Sequence, residues 1–127
     1  VTAPAVSLVL ALEEERTGFE PGAVLAGVAA WSAPAPPRGI ELRLSWTARG
    51  KGGRDFRIVE TLPFPAPRAA ERRPFSLTLP AGPYSFVGTL VSLSWRLELV
   101  CQPREEKAAI EIAIAPGRAP LALVGAP

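Results

Sequence analysis

Chemistry needs side chains that donate, accept or attack, and this sequence offers few of them in useful company. It has no histidine, which removes the commonest general base and metal ligand. Its single cysteine, Cys101, has no histidine to activate it and no second thiol with which to hold a metal or close a disulfide within the chain. Asp55 is the only aspartate. Glu13, Glu14 and Glu15 are adjacent. Neighbours on a strand point to opposite faces, so these three do not converge as an acid–base pair and read as a solvated strand end. Arg104-Glu105-Glu106-Lys107 reads as a charged turn. Gly50-Lys51-Gly52-Gly53 places a lysine among glycines, but without the spacing or the following Ser/Thr of a phosphate loop. It reads as a hairpin tip. The expectation is no catalytic residue, no metal and no cofactor.

Candidate binding residues are of a different kind. Two basic segments stand out: Arg49, Lys51 and Arg54, and Arg68, Arg72 and Arg73. Clustered at loop tips, such charges steer an acidic partner. Trp31 ends an apolar run just before a proline-rich segment, which suggests a partly exposed contact residue. Trp46 and Trp95 lie among aliphatic neighbours at alternate positions and read as core. The net charge is only +2, with two lysines and dispersed arginines. Nucleic-acid binders concentrate far more positive charge on one face, so nucleic acid is not the expected partner.

The elements that must position these residues are strands. Ile40 to Thr47 alternates without a fault, with Ile40, Leu42, Leu44 and Trp46 on one face. Phe75–Leu79, Val91–Leu99 and Ile110–Ile114 do the same. Period-two alternation marks half-buried strands. The polar faces, such as Glu41, Arg43, Ser45 and Thr47, read as solvated. Ala5–Leu12, Ala23–Trp31 and Phe56–Phe64 complete a set of seven. Ala23–Trp31 is apolar on both faces, as for a strand covered on both sides. In Phe56–Phe64, Glu60 interrupts the apolar set. Gly and Pro clusters separate the runs, and Arg49 to Arg54 has the glycines of a hairpin loop. Pro65 to Pro74 reads as a longer loop carrying Arg68, Arg72 and Arg73. The pattern specifies an all-β, antiparallel, two-sheet immunoglobulin-like sandwich of about seven strands.

Two segments resemble the N-terminal domain of arrestin-like proteins. Phe75-Ser-Leu-Thr-Leu-Pro80-Ala-Gly-Pro83-Tyr-Ser85-Phe-Val-Gly88, continuing through Trp95 to Leu99, is similar to a stretch of that family. There, a strand ending in Leu-Pro is followed by a Pro/Ser turn, a glycine and a long strand with a central aromatic. Gly22-Ala-Val-Leu-Ala-Gly27-Val is similar to its second strand. The order of elements agrees over Ala5 to Ala115. The family includes arrestins, retromer subunits, α-arrestins and bacterial sporulation-control proteins. The resemblance implies a sandwich that binds other proteins. A PPxY motif and the buried ion-pair cluster of visual arrestins have no counterpart here, so phosphate sensing and receptor regulation do not carry over.

The sandwich is expected to occupy residues 1–115, with 116–127 as a linker or tail of the kind that leads into a second domain. The expected function is a non-enzymatic protein-interaction or scaffold domain with an acidic protein partner. The alternative is a ligand- or carbohydrate-binding module of a larger protein, which would require an exposed aromatic platform. One cysteine and no visible signal peptide point to the cytoplasm. No stretch approaches the apolar length of a membrane span. A bias to Ala, Pro, Gly and Arg suggests a bacterial source with a GC-rich genome.

Overall fold

A computed structural model describes residues 6–123. Among the described residues there are ten strands and no helix: β1 (Ser7–Leu12), β2 (Gly18–Phe19), β3 (Val24–Ser32), β4 (Gly39–Gly50), β5 (Gly53–Phe64), β6 (Ala70–Thr78), β7 (Phe86–Val87), β8 (Ser92–Gln102), β9 (Glu106–Ile114) and β10 (Leu121–Ala122). Seven are long, and these are the seven that alternation marks. The other three have two residues each. No helix here is long and apolar enough to cross a membrane.

Three strands form the smaller sheet, in the order β1-β3-β6. The larger sheet runs β5-β4-β8, and the far edge of β8 is shared. β7 pairs with its start at Ser92 and Leu93, and β9 pairs with Trp95 to Cys101. β10 lies parallel to β7 and β2 parallel to β9. The long pairings are all antiparallel, as expected of alternating strands joined by short turns. Part of the expected tail therefore adds to the sheet, through Leu121 and Ala122.

The core fills the space between the sheets. Leu25 faces it from β3; Ile40, Leu42 and Leu44 from β4; Trp95, Leu97 and Leu99 from β8; and Ile114 from β9, all essentially without solvent contact. Cys101 joins them as a small apolar residue, as its position in an alternating strand suggests. Trp46 is half-buried against this core. Between β6 and β7 the chain crosses from one sheet to the other, and the crossing is pinned at each step. Leu79 N–H donates to Ala23 O at 2.8 Å, and Ser85 N–H to Ile114 O at 2.7 Å. Trp95 Nε1–H donates to Pro83 O at 2.8 Å. Buried Ser85 accepts at its hydroxyl from Ile114 N–H at 3.0 Å. This is the stretch that carries the family resemblance, and its proline, serine and tryptophan close the sandwich.

Three expectations need correction. β3 is not covered on both sides: Leu25, Gly27, Ala29 and Trp31 face the core, while Ala26, Val28 and Ala30 keep partial exposure. Arg72 and Arg73 lie in strand β6, not in a loop. Pro74 does not end the strand, because β6 is a sheet edge where a missing N–H is tolerated. The polar face of β4 is not simply solvated: Ser45 is buried and Glu41 and Arg43 are half-buried.

Candidate functional site

The β4–β5 hairpin carries the most unusual charge arrangement in the molecule. β4 ends at Gly50, β5 starts at Gly53, and Lys51-Gly52 forms the tip. Gly53 has φ of 144°, which a side chain would resist. Across the tip, Arg49 lies directly opposite Arg54. Both are exposed, as is Lys51, and none is in an ion pair among the described residues. Like charges at directly opposed positions destabilise a hairpin. Three cations thus crowd one tip without an attractive charge partner among the described residues.

One irregularity decides what lies beside them. The β4–β5 register passes from Leu44↔Glu60 to Ser45↔Ile58, leaving Val59 without a partner. A bulge of one residue reverses which face each later side chain takes. Leu62 and Phe64 therefore lie opposite Leu42 and Ile40, on the core side, while Phe56 and Ile58 lie opposite Thr47 and Ser45 on the outer face. Phe56 is 55% exposed. Glu60, opposite Leu44, is the last residue paired on the core side before the phase changes.

The outer face of the larger sheet is hollow. Ser45 and Glu98 face outward yet are buried, and so is Val100. No strand among the described residues covers them. Val100 sits between Glu41 and Lys107 in the register, and paired charged arms shield this floor. Arg43 Nε lies 2.8 Å from Glu41 Oε2 and its Nη2 3.4 Å from Glu105 Oε1. Lys107 Nζ lies 3.8 Å from Glu98 Oε2. The hydrogen bond that Arg43 donates to Glu41 holds its guanidinium even more firmly protonated than usual. Towards the hairpin the hollow opens into a groove of about 760 Å³, bordered by Arg49, Arg54, Phe56, Val87 and Arg96.

Trp31, Arg72 and Arg73 form a separate group. Their end of β5 is twelve residues from the hairpin start, about 35 to 40 Å along an extended strand, so the six candidate residues do not converge. Trp31 is not partly exposed; only 3% of its surface meets solvent. Its indole N–H donates to Arg68 O at 2.8 Å. One ring contact is with Phe64, centroids 5.6 Å apart, and the Arg73 guanidinium lies 5.7 Å from the ring centre. Arg73 in turn holds Glu71 through Nε at 2.7 Å and Nη2 at 2.9 Å, and Pro65 O at 2.7 Å. That bidentate pair, joined by the Arg68 amide N–H, keeps the Glu71 carboxyl below its ordinary range. Trp31 and Arg73 are thus architectural partners that lock the β5–β6 loop. Arg72 alone of the three is exposed and outside any ion pair among the described residues.

The sequence reading missed Phe56, Ile58 and Arg96. The fault at Glu60 lies next to the bulge that turns Phe56 and Ile58 outward, while Arg96, on β8, has no such local mark. Among the described residues, no group of three or more His, Cys, Asp or Glu side chains is placed to share a metal ion. Trp31 and Trp95 are buried, so neither supplies the platform on which a sugar would stack.

Two packed sheets without helices, closed by the Leu79–Ser85 crossing, define an arrestin-like β-sandwich. The fold is similar to that of the sporulation control protein Spo0M from Bacillus subtilis, with 22% identity, a TM-score of 0.59 and 91% of this chain covered. The chain spans about half of that protein, 50% of its length. A β-glucosidase from Listeria innocua in complex with gluconolactone also aligns, at 13% identity and a TM-score of 0.48, over 91% of this chain and 16% of its own. No family model matches the sequence, and no curated protein matches it.

Proposed function

We propose that this domain is a non-enzymatic protein-interaction module whose partner presents an acidic, partly apolar segment. The observation that carries the reading is the groove on the outer face of the larger sheet. At its hairpin end, exposed Phe56 borders it beside unpaired Arg49 and Arg54, with Lys51 at the adjoining tip and Ile58 two residues further along the same outer face of β5. The groove supplies apolar contact, and the cations supply long-range attraction and orientation. The absence of histidine and the pairing of the floor carboxylate Glu98 with Lys107 support a binding role over catalysis.

The test is a peptide-display selection against the immobilised domain at low and high salt. The reading expects enriched peptides with acidic residues flanking an apolar one. Replacing Phe56 and Ile58 with Ser should weaken those peptides at least tenfold, about the effect of losing one to two half-buried apolar contacts. Replacing Arg49, Lys51 and Arg54 with Ser should slow association and flatten its salt dependence, whereas Arg73 is left in place because it holds Glu71 and Pro65 within the fold. Selected peptides without acidic residues, bound equally by both variants, would sink the reading.

A further inference from the structure

A second surface lies at the same end of the sandwich but on different elements. β7 and β8 are joined by Gly88-Thr89-Leu90-Val91, and β10 lies along β7, with Leu121 N–H donating to Ser85 O and Leu123 N–H to Val87 O, each at 2.9 Å. This gathers Val87, Leu90, Val91, Leu121 and Leu123 at one tip, all exposed, with Leu90 at 72%. The Leu123 side chain packs over Gly88, where an added Cβ would meet it at 3.2 Å. The hairpin tip is the neighbour: an added Cβ on Gly50 would lie 3.7 Å from Val91 Cγ2 and 3.8 Å from Leu90 O. A cleft of about 380 Å³ between the two turns is bordered by Arg49, Lys51 and Leu90.

The charge pattern is one-sided. No charged residue occurs between Arg73 and Arg96, nor after Arg118. The aliphatic tip therefore carries no charge of its own, and its immediate neighbours on the hairpin are Arg49 and Lys51, with Arg54 opposite Arg49. Aliphatic side chains at the apex of turns, flanked by cations and lacking polar partners, suit a bilayer boundary. The side chains enter the acyl region while Arg and Lys meet lipid phosphates. We propose that this end of the domain docks on an anionic lipid surface, with Leu90 and Val91 as the inserting residues and Arg49, Lys51 and Arg54 as the phosphate contacts. This goes beyond the peptide groove, which meets the tip at Val87 but takes its exposed aromatic contact, Phe56, from β5.

The test is co-sedimentation of the full chain with vesicles of phosphatidylcholine alone and of phosphatidylcholine with phosphatidylserine. Binding should require phosphatidylserine and fall with salt. The triple variant Arg49→Ser, Lys51→Ser, Arg54→Ser should lose about a hundredfold in partitioning, from about fivefold per cation near such a surface. The pair Leu90→Ser, Val91→Ser should lose about tenfold or more while keeping the far-ultraviolet spectrum of the parent. Leu90→Trp should show a blue-shifted emission on anionic vesicles. Phe56→Ser, Ile58→Ser should bind vesicles as the parent does. The proposal is overturned by three results: no sedimentation with either vesicle, sedimentation indifferent to Leu90 and Val91, or a Leu90/Val91 variant that loses display-selected peptides instead of vesicles. The last would assign the tip to a protein partner.

Discussion

Replacing Trp95 tests the architecture most directly. The indole is fully buried at the centre of β8, with Trp46 opposite on β4 and Ile112 opposite on β9. Its N–H also holds Pro83, at 2.8 Å. Trp95→Ala removes the largest side chain of the core and leaves a cavity that rigid neighbouring strands cannot fill, a loss of about 3 to 5 kcal/mol. Trp95→Phe keeps most of the volume and loses the donor. Pro83 is exposed, so water replaces part of that bond, and the loss should be about 1 to 2 kcal/mol. Domains have about 5 to 15 kcal/mol in total, so the Ala variant sits near the limit and the Phe variant keeps the comparison readable. Urea unfolding followed by far-ultraviolet circular dichroism gives both values, provided the slopes match the parent. A loss below about 1 kcal/mol for Trp95→Ala would refute the placement of β8. Equal losses for Ala and Phe would refute the balance between volume and hydrogen bond.

Three further outcomes follow from the structure. Gly27→Ala should destabilise by about 1 to 3 kcal/mol in thermal melts, because a Cβ there meets the Ala11 carbonyl and, at 2.8 Å, the Phe75 ring. Burial first, then Glu106, raises the Cys101 thiol pKa; a raised value favours the neutral thiol, so its stabilising share is present below the ordinary thiol range and lost as pH rises. A thiol reagent at mildly alkaline pH should therefore label native protein far more slowly than urea-unfolded protein, and equal rates would contradict the burial. The Glu71 carboxyl is held low chiefly by Arg73; a depressed value gives stability present above the ordinary carboxylate range and lost as pH falls through the folded value. The Trp31 indole resonance should shift on acidification in the parent, and Glu71→Gln should remove that transition.

The long strands were legible because alternation is a property of neighbouring residues, and burial of one sheet face imposes it. Ile40 to Trp46 and Val91 to Leu99 needed no distant information. The features that were not legible all depend on contacts distant in sequence. Trp31 ends a strand before prolines, which reads as exposure. Its burial depends on Arg68 O, 37 residues away, and on Arg73 reaching over the ring from the next strand. Pro74 reads as a loop boundary until β6 is known to be an edge. β2, β7 and β10 have two residues each, too few to show any period. The bulge at Val59 was not legible, because a single inserted residue shifts the phase without altering composition; Glu60, opposite Leu44, lies beside it but is not produced by it.

The two groups of cationic candidates differ in a way that bears on function. At the Trp31 end, Arg73 bonds Glu71 and Pro65 and lies over the indole. Its charge is satisfied within the fold, and removing it would damage the loop before any partner is involved. At the hairpin end, Arg49 faces Arg54 with Lys51 between them in sequence. Replacing any of them with Ser should relieve repulsion, so the fold should be unharmed or gain a few tenths of a kcal/mol. A position whose removal helps the fold and harms association is one that the fold does not need. Single Ser variants at Arg49 and Arg54, compared in stability and in partner or vesicle binding, therefore separate the two groups. A loss of stability at either would return the hairpin charges to a structural role.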